Sequence, residues 1–249
     1  MSPRIVTFDI ETSPNLVYCW GFYEQNVIKV VRPWYVLTIA YKWLDDKKAR
    51  VLTLPDYKLF FKEPQNDREL VKEFWSVLDK ADIVVGQNSD QFDIKKMNTR
   101  FLLHNLPPPS HYKTVDTKKT SKKHFSFINN KLDNLGEELG FGGKMKHDGF
   151  ELWEKAMAGD RRAFKKMGEY NKRDVYLTEK VYLAERPWMT AHPNINAYTE
   201  KEGCRNCGSE DTIFRGFQYS STGKKRRWSC RKCQAWTTDS KHIPTTTKR

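Results

Sequence analysis

Three short stretches of the chain carry side chains whose types and spacing suit joint chemistry. The first is Asp9-Ile10-Glu11, at the end of the run from Arg4 to Ile10 that reads as a buried strand. Residues two apart on a strand share a face, so both carboxylates project together while Ile10 enters the opposite side. Paired carboxylates on a core strand are costly unless a divalent cation sits between them. On an exposed edge strand the same pair would be only a solvated acidic face. The second stretch is Gly86-Gln87-Asn88-Ser89-Asp90-Gln91-Phe92-Asp93, between the apolar run Ile83–Val85 and a helical pattern from Ile94 to His104. Functional groups gather at the carboxyl ends of strands in open α/β sheets, so Asp93 is placed either to reach a metal or to cap that helix. The third is Tyr170-Asn171-Lys172-Arg173-Asp174, where Tyr170 and Asp174 stand four apart and emerge on one helix face. An amphipathic helix with Asp174 paired to a neighbouring Lys or Arg is the alternative.

A separate constellation lies near the end of the chain. Cys204-x2-Cys207 and Cys230-x2-Cys233 are separated by 22 residues, and Cys19 stands apart. Two such knuckles close a tetrahedral Zn²⁺ site, and four thiolates leave no open position, which predicts one structural zinc. The metal supplies folding energy that a module of ~40 residues lacks in its core. Between the knuckles, Ile213–Tyr219 and Arg226–Ser229 alternate as two ribbon strands joined by a turn over Ser220–Lys224. Lys224, Lys225, Arg226 and Arg227 cluster beside Tyr219, Trp228 and Trp236, an arrangement that suits phosphates and stacked bases. Trp228 is expected in the small core of the module.

The elements that must position these groups follow from periodicity. Strands are expected at Arg4–Ile10, Leu16–Tyr23, Val36–Leu44, Val51–Leu54 and Ile83–Val85. Helices are expected from Asn66 or Asp67 to Lys80, over Ile94–His104, Lys131–Leu139 and Phe150–Met157, and from an Asp160 cap to Glu185. This succession suits an α/β fold with a mixed sheet flanked by helices, plus a small four-cysteine zinc ribbon. The expected divisions are a catalytic domain over 1–186, a linker over 187–200, the ribbon over 201–240 and a flexible tail over 241–249.

Composition narrows the class. Of 249 residues, 38% are hydrophobic, which excludes wholesale disorder, and no apolar stretch approaches the ~20 residues a membrane span needs. Asp9 and Glu11 fall where a signal peptide would need an apolar core, so an intracellular, cytoplasmic or nucleoid-associated location is expected. The formal net charge is +13, of which +7 falls from residue 200 onward, with 12 Lys/Arg against 5 Asp/Glu. Nucleic acid is the simplest polyanionic partner.

Taken in order, Asp9-x-Glu11, Asn88-x3-Phe92-Asp93 and Tyr170-x3-Asp174 resemble the DEDD superfamily of 3′–5′ exonucleases. They are most similar to the tyrosine branch that includes the proofreading domains of family-B DNA polymerases. The other branch places His five residues before the last Asp, where this chain has Glu169. The resemblance, over about residues 4–186, implies an RNase H-like fold and two Mg²⁺ or Mn²⁺ ions. It further implies that Asp9, Glu11 and Asp174 hold the ion that activates water, that Asp9 bridges to the second, and that Asp93 assists directly or through water. Tyr170 would orient the attacking water, and Asn88 and Phe92 would contact the nucleic-acid end. Single-stranded or frayed 3′ ends are the implied substrate, DNA before RNA, and replication or repair proteins are the partner class the family brings with it. The competing expectations are an RNA 3′–5′ exonuclease, an RNase H-like endonuclease and a non-catalytic nucleic-acid-binding protein.

Overall fold

The strand bearing the first acidic pair, β1 (Ile5–Thr12), lies at the centre of a five-stranded sheet in the computed structural model, which describes residues 2–23, 26–143, 149–199 and 202–244. Its antiparallel neighbour is β4 (Val36–Trp43) and its parallel neighbour is β6 (Ile83–Gly86); β5 (Arg50–Thr53) and β7 (Lys113–Asp116) form the edges. Both faces of β4 and β6 are covered, as their near-continuous apolar sequences require. The alternation along β1 divides labour between the faces. Phe8 packs on Phe74 of α1 (Arg68–Leu78) with ring centroids 5.1 Å apart, and Met97 and Phe101 of α2 (Asp93–Leu103) join that core. The opposite face, with Asp9 and Glu11, meets the long α6 (Arg161–Glu185).

Helix α6 is fixed on that face by several contacts. Asp160 Oδ1 accepts from Arg162 N at 2.7 Å, giving the expected cap. Val175 packs against Ala40 of β4, and the Lys42 ammonium of β4 donates to Glu179 at 2.8 Å. A Cβ on Gly168 would lie 3.0 Å from Val51 Cγ1, so a glycine lets the helix approach β5 closely.

Two parts of this unit differ from expectation. The strand expected over Leu16–Tyr23 shrinks to β2 (Leu16–Tyr18), paired with β3 (Lys29–Arg32) in an exposed hairpin off the main sheet. Apolar composition indicated a strand, and it pairs with β3 alone and not with the main sheet. A helix also follows β7, α3 (Thr117–His124), whose Lys-rich sequence has little apolar periodicity; it is started by the Asp116 side chain accepting from Lys119 N. The shorter α4 (Leu132–Glu138) and α5 (Glu151–Met157) lie where helices were expected. The loop before α5 at 144–148 lies outside the described residues.

Arg4–Val181 form one compact unit, and the chain from Tyr182 onward belongs to a second. Residues 187–200 of that second unit include a 3-10 turn at Ile195–Tyr198 and bury Met189, His192 and Ile195. Beyond them, β8 (Thr212–Ser220) and β9 (Gly223–Cys230) pair antiparallel, and β10 (Trp236–Thr238) and β11 (Ile243–Pro244) add to β9. The connecting turn is tighter than expected, with β9 starting at Gly223. Of the tail, Ile243–Pro244 pair with β9, and 245–249 lie outside the described residues.

Candidate active site

One oxygen from each of Asp9, Glu11 and Asp174 lies within 4.8 Å of the others. Asp9 and Glu11 reach this point from alternate positions of β1, and Asp174 from α6. The first two are partly exposed and Asp174 is 1% exposed. Hard carboxylate oxygens gathered so tightly fit a Mg²⁺ or Mn²⁺ ion, which takes oxygen ligands and neutralises the crowded charge. Tyr170, one turn before Asp174, is buried with its ring edge-on to Trp153 at 6.5 Å. The Trp153 indole donates to Thr12 O at 3.2 Å, so this aromatic pair is tied to the end of β1.

Asp93 is buried beside the same strand. Pairing between β1 and β6 stops at Thr7, and beyond it Asp93 Oδ1 accepts from Ile10 N at 3.3 Å. Among the described residues, the converging set contains the other three carboxylates without Asp93. Upstream, Gly86 must be glycine because a Cβ would meet Ser89 Cβ at 2.5 Å. Asn88 adopts a left-handed φ of 61°, and its N–H donates to Asp116 Oδ1 at 3.0 Å. Burial pushes the Asp116 carboxyl above its usual range, against these amide hydrogen bonds. Asn88 and Asp9 share the lining of a cavity of about 340 Å³ with Gln87, Lys118, Lys131 and Asp133. Phe92 is 41% exposed, outside the core, with the Lys96 ammonium 5.0 Å above its ring.

The matching family model is that of the RNase_H superfamily, over residues 31–184. The chain belongs to the RNase_H superfamily. The matched region contains Asp93, Tyr170 and Asp174 and begins after Asp9 and Glu11. Among solved structures, the family B DNA polymerase from the hyperthermophilic archaeon Pyrobaculum calidifontis is similar, with a TM-score of 0.51 and 15% identity. The likeness covers 74% of this chain and only 25% of the polymerase. At that identity it shows the fold, and the fold is the RNase H-like one implied by the carboxylate motifs. No curated protein matches the chain significantly. Membership of the superfamily supports a nuclease that acts on nucleic acid with divalent metal ions.

Within the RNase H-like unit, the sequence reading missed three kinds of residue. Asn171 is fully buried; its Nδ2 donates to Asp9 Oδ2 at 2.6 Å, and its Oδ1 accepts from Thr38 Oγ1 at 3.3 Å. It stands three before Asp174 and so shares that face, a helical relation available in the sequence. Lys118 and Lys131 bring positive charge to the cavity beside Asp9; one is in a lysine-rich run and nothing local distinguishes either. Lys96 donates to Thr12 Oγ1 at 3.3 Å and sits 3.8 Å over the Trp34 ring. Burial lowers the pKa of this ammonium, and the Asp93 charge opposes that shift.

In the second unit, all four cysteine sulfurs lie within 4.8 Å of one another. Cys204 Sγ and Cys233 Sγ are 3.5 Å apart, and Cys207 Sγ and Cys230 Sγ are 3.7 Å apart. A tetrahedron with Zn–S bonds of ~2.3 Å has edges of ~3.8 Å, so the donor set fits zinc. The thiols also share protons unevenly: hydrogen bonds from Cys204 and Cys233 hold Cys207 far below its usual value, while Cys207 and Cys233 push Cys204 up. On the ribbon, Trp228 packs on Phe214 at 5.5 Å and its indole donates to Asp239 at 2.7 Å, a core role. Lys224 lies over Phe217 and Arg227 over Trp236, whereas Arg226 is exposed and Lys225 half-buried.

Proposed function

We propose that the protein is a metal-dependent 3′–5′ exonuclease that hydrolyses phosphodiester bonds at nucleic-acid 3′ ends, DNA before RNA. The observation that carries this reading is the meeting of Asp9, Glu11 and Asp174 with Tyr170 one helical turn away. Two divalent ions, Mg²⁺ or Mn²⁺, supply when bound an activated water and charge to stabilise the departing 3′-oxygen. Asp9, Glu11 and Asp174 would hold the ion at the water, and Asp9 would extend to the second. Asp93 assists directly or through a water. Asn171 holds Asp9 Oδ2, so the bridging carboxylate keeps one orientation before any ligand arrives. An unperturbed tyrosine ionises near ~10, which suits the Tyr170 hydroxyl to orienting water more than to acting as a base. The terminal nucleotide occupies the cavity between Asp9 and Asn88, where Lys118 and Lys131 offset its phosphate charge. Phe92 offers a ring to the strand end. The zinc-bound ribbon, through Lys224, Lys225, Arg226 and Arg227, adds affinity for the phosphate backbone.

Product analysis on matched DNA and RNA strands, labelled at either end and incubated with Mg²⁺ or Mn²⁺, tests the assignment. Mononucleotides should leave from the 3′ end, a closed circle should survive, and Asp9→Ala should abolish release while remaining folded. Cleavage of the circle, release from the 5′ end alone, or full activity in a clean Asp9→Ala preparation would reject it.

A further inference from the structure

The β2–β3 hairpin exposes apolar surface that contributes nothing to the fold. Trp20 is 90% exposed, Phe22 99% and Tyr18 61%, and Val27, Ile28, Val30 and Val31 are also exposed. Leaving such side chains in water forgoes the stabilisation that burial gives, and contiguous apolar patches of this kind mark binding surfaces. Two-stranded ribbons are marginal by themselves, yet the base of this one is firmly held. Ser13 N donates to Tyr35 O at 2.9 Å, and Tyr35 N donates back to Ser13 Oγ at 2.9 Å. Trp34 N donates to Asn15 Oδ1 at 2.9 Å, and Lys96 presses on the Trp34 ring while bonding Thr12. The stem is therefore locked to the carboxyl end of β1, the strand that presents Asp9 and Glu11. Leu16 stands five positions after Glu11, so the hairpin begins no more than ~18 Å along the chain from a candidate metal ligand.

We infer that this hairpin is a stacking platform for the unpaired bases of a single-stranded nucleic acid whose 3′ end lies at the carboxylates. The inference rests on the exonuclease reading and assigns to this hairpin the part of the chain that holds the unpaired strand. The chemistry of the surface selects the occupant. Aromatic rings accept any base by its π-face, whatever the sequence. Lys29 and Arg32 on the returning strand supply positive charge for the backbone. In a duplex the bases are already stacked on one another and offer no free face, whereas an unpaired end does.

The test uses the full chain with a short oligothymidylate, binding being measured by fluorescence anisotropy without added divalent ions. A second oligonucleotide series carries 2-aminopurine at successive positions from the 3′ end, because its emission is quenched on stacking. Trp20→Ala with Phe22→Ala should weaken binding by roughly 5–150-fold for each stacked base lost. It should also abolish the quenching, with the salt dependence of binding unchanged because no phosphate contact is removed. Trp20→Tyr with Phe22→Tyr retains two rings and should restore both signals. Equal affinity and equal quenching in the alanine variant would overturn the assignment. So would sedimentation showing wild-type dimers that dissociate in that variant, since the hairpin would then join copies of the chain. Hydrolysis of the p-nitrophenyl ester of thymidine 5′-phosphate by the wild-type protein tests the nuclease separately. If that ester is cleaved while the hairpin variants bind strands normally, only the platform falls.

Discussion

Replacing Asp174 by Asn should destroy activity and yet raise the melting temperature of the metal-free protein. Asp174 stands within 4.8 Å of both Asp9 and Glu11. Two unit charges at that distance repel by ~3.5 kcal/mol at an effective dielectric of ~20 and by ~1 kcal/mol in water. Asp9 and Glu11 are partly exposed, so solvent screening pulls each pair toward the lower value; ~1 kcal/mol apiece is the working figure. Asn keeps the shape of the side chain and an acceptor oxygen while removing both repulsions, a gain of ~2 kcal/mol. For a unit of this size that corresponds to ~4–8 °C in the melting temperature. Added Mn²⁺ should reverse the order, because the wild type gains stability in proportion to RT ln(1 + [L]/Kd) and the variant has lost a ligand. Scanning calorimetry at pH 8, with and without Mn²⁺, reads both effects on the transition of the Arg4–Val181 unit. An Asp174→Asn protein that melts at or below the wild type without metal would refute the claim that the three carboxylates crowd one another. So would equal stabilisation of both proteins by Mn²⁺.

Two further outcomes follow from named contacts. Asn171→Ala removes the charge-assisted hydrogen bond to Asp9 Oδ2 at 2.6 Å, and calorimetric titration with Mn²⁺ should show affinity falling by about 10–100-fold, with turnover largely recovered at saturating metal. An unchanged Mn²⁺ isotherm would remove Asn171 from the site. In the second unit, His192 donates from Nδ1 to Pro193 O at 2.7 Å, and its Nε2 lies 2.9 Å from the Tyr182 hydroxyl. Burial lowers its pKa from 6.5 to about 4, so between these values the unfolded chain binds the extra proton. Its contribution is complete above pH 6.5 and is lost as the pH falls toward 4, by about 3 kcal/mol. His192→Gln keeps a donor and an acceptor, and denaturant unfolding of the two proteins across that range should show the difference between them shrinking toward low pH. A constant difference would contradict it.

What the sequence disclosed was what local periodicity encodes. Asp9 and Glu11 share a face because strand side chains alternate, and Tyr170 and Asp174 share one because helices repeat every 3.6 residues. Neither relation requires knowledge of the tertiary fold. Asn171 depends on a contact spanning 162 residues, from α6 back to β1. Its type permitted a solvated amide as readily as a buried one. The hairpin failed for a different reason. Leu16, Val17 and Tyr18 have the composition of a core strand, but composition records only that apolar side chains need a partner and not that the partner is protein. Helix α3 was hidden because lysines supply no apolar stripe, and the Asp116 cap that starts it belongs to the preceding strand.

The places where these local rules mislead are also the places nearest the carboxylates. A central strand should be apolar on both faces, yet β1 carries two acids opposite α6. An apolar hairpin should be covered, yet Trp20 and Phe22 stand in water on a hairpin whose base is held at the end of that strand. The cavity that holds Asp9 is also lined by the half-buried Lys118 and the exposed Lys131, with Asp133 beside them. The crowded acids cost folding free energy and the exposed rings forgo the gain of burial; on the function and the platform proposed above, metal ions would answer the acids, unpaired bases the rings and phosphate the lysines. A single-stranded nucleic acid bound with divalent ions satisfies all three at once, which is why the nuclease reading accounts for more of this unit than its carboxylates alone would.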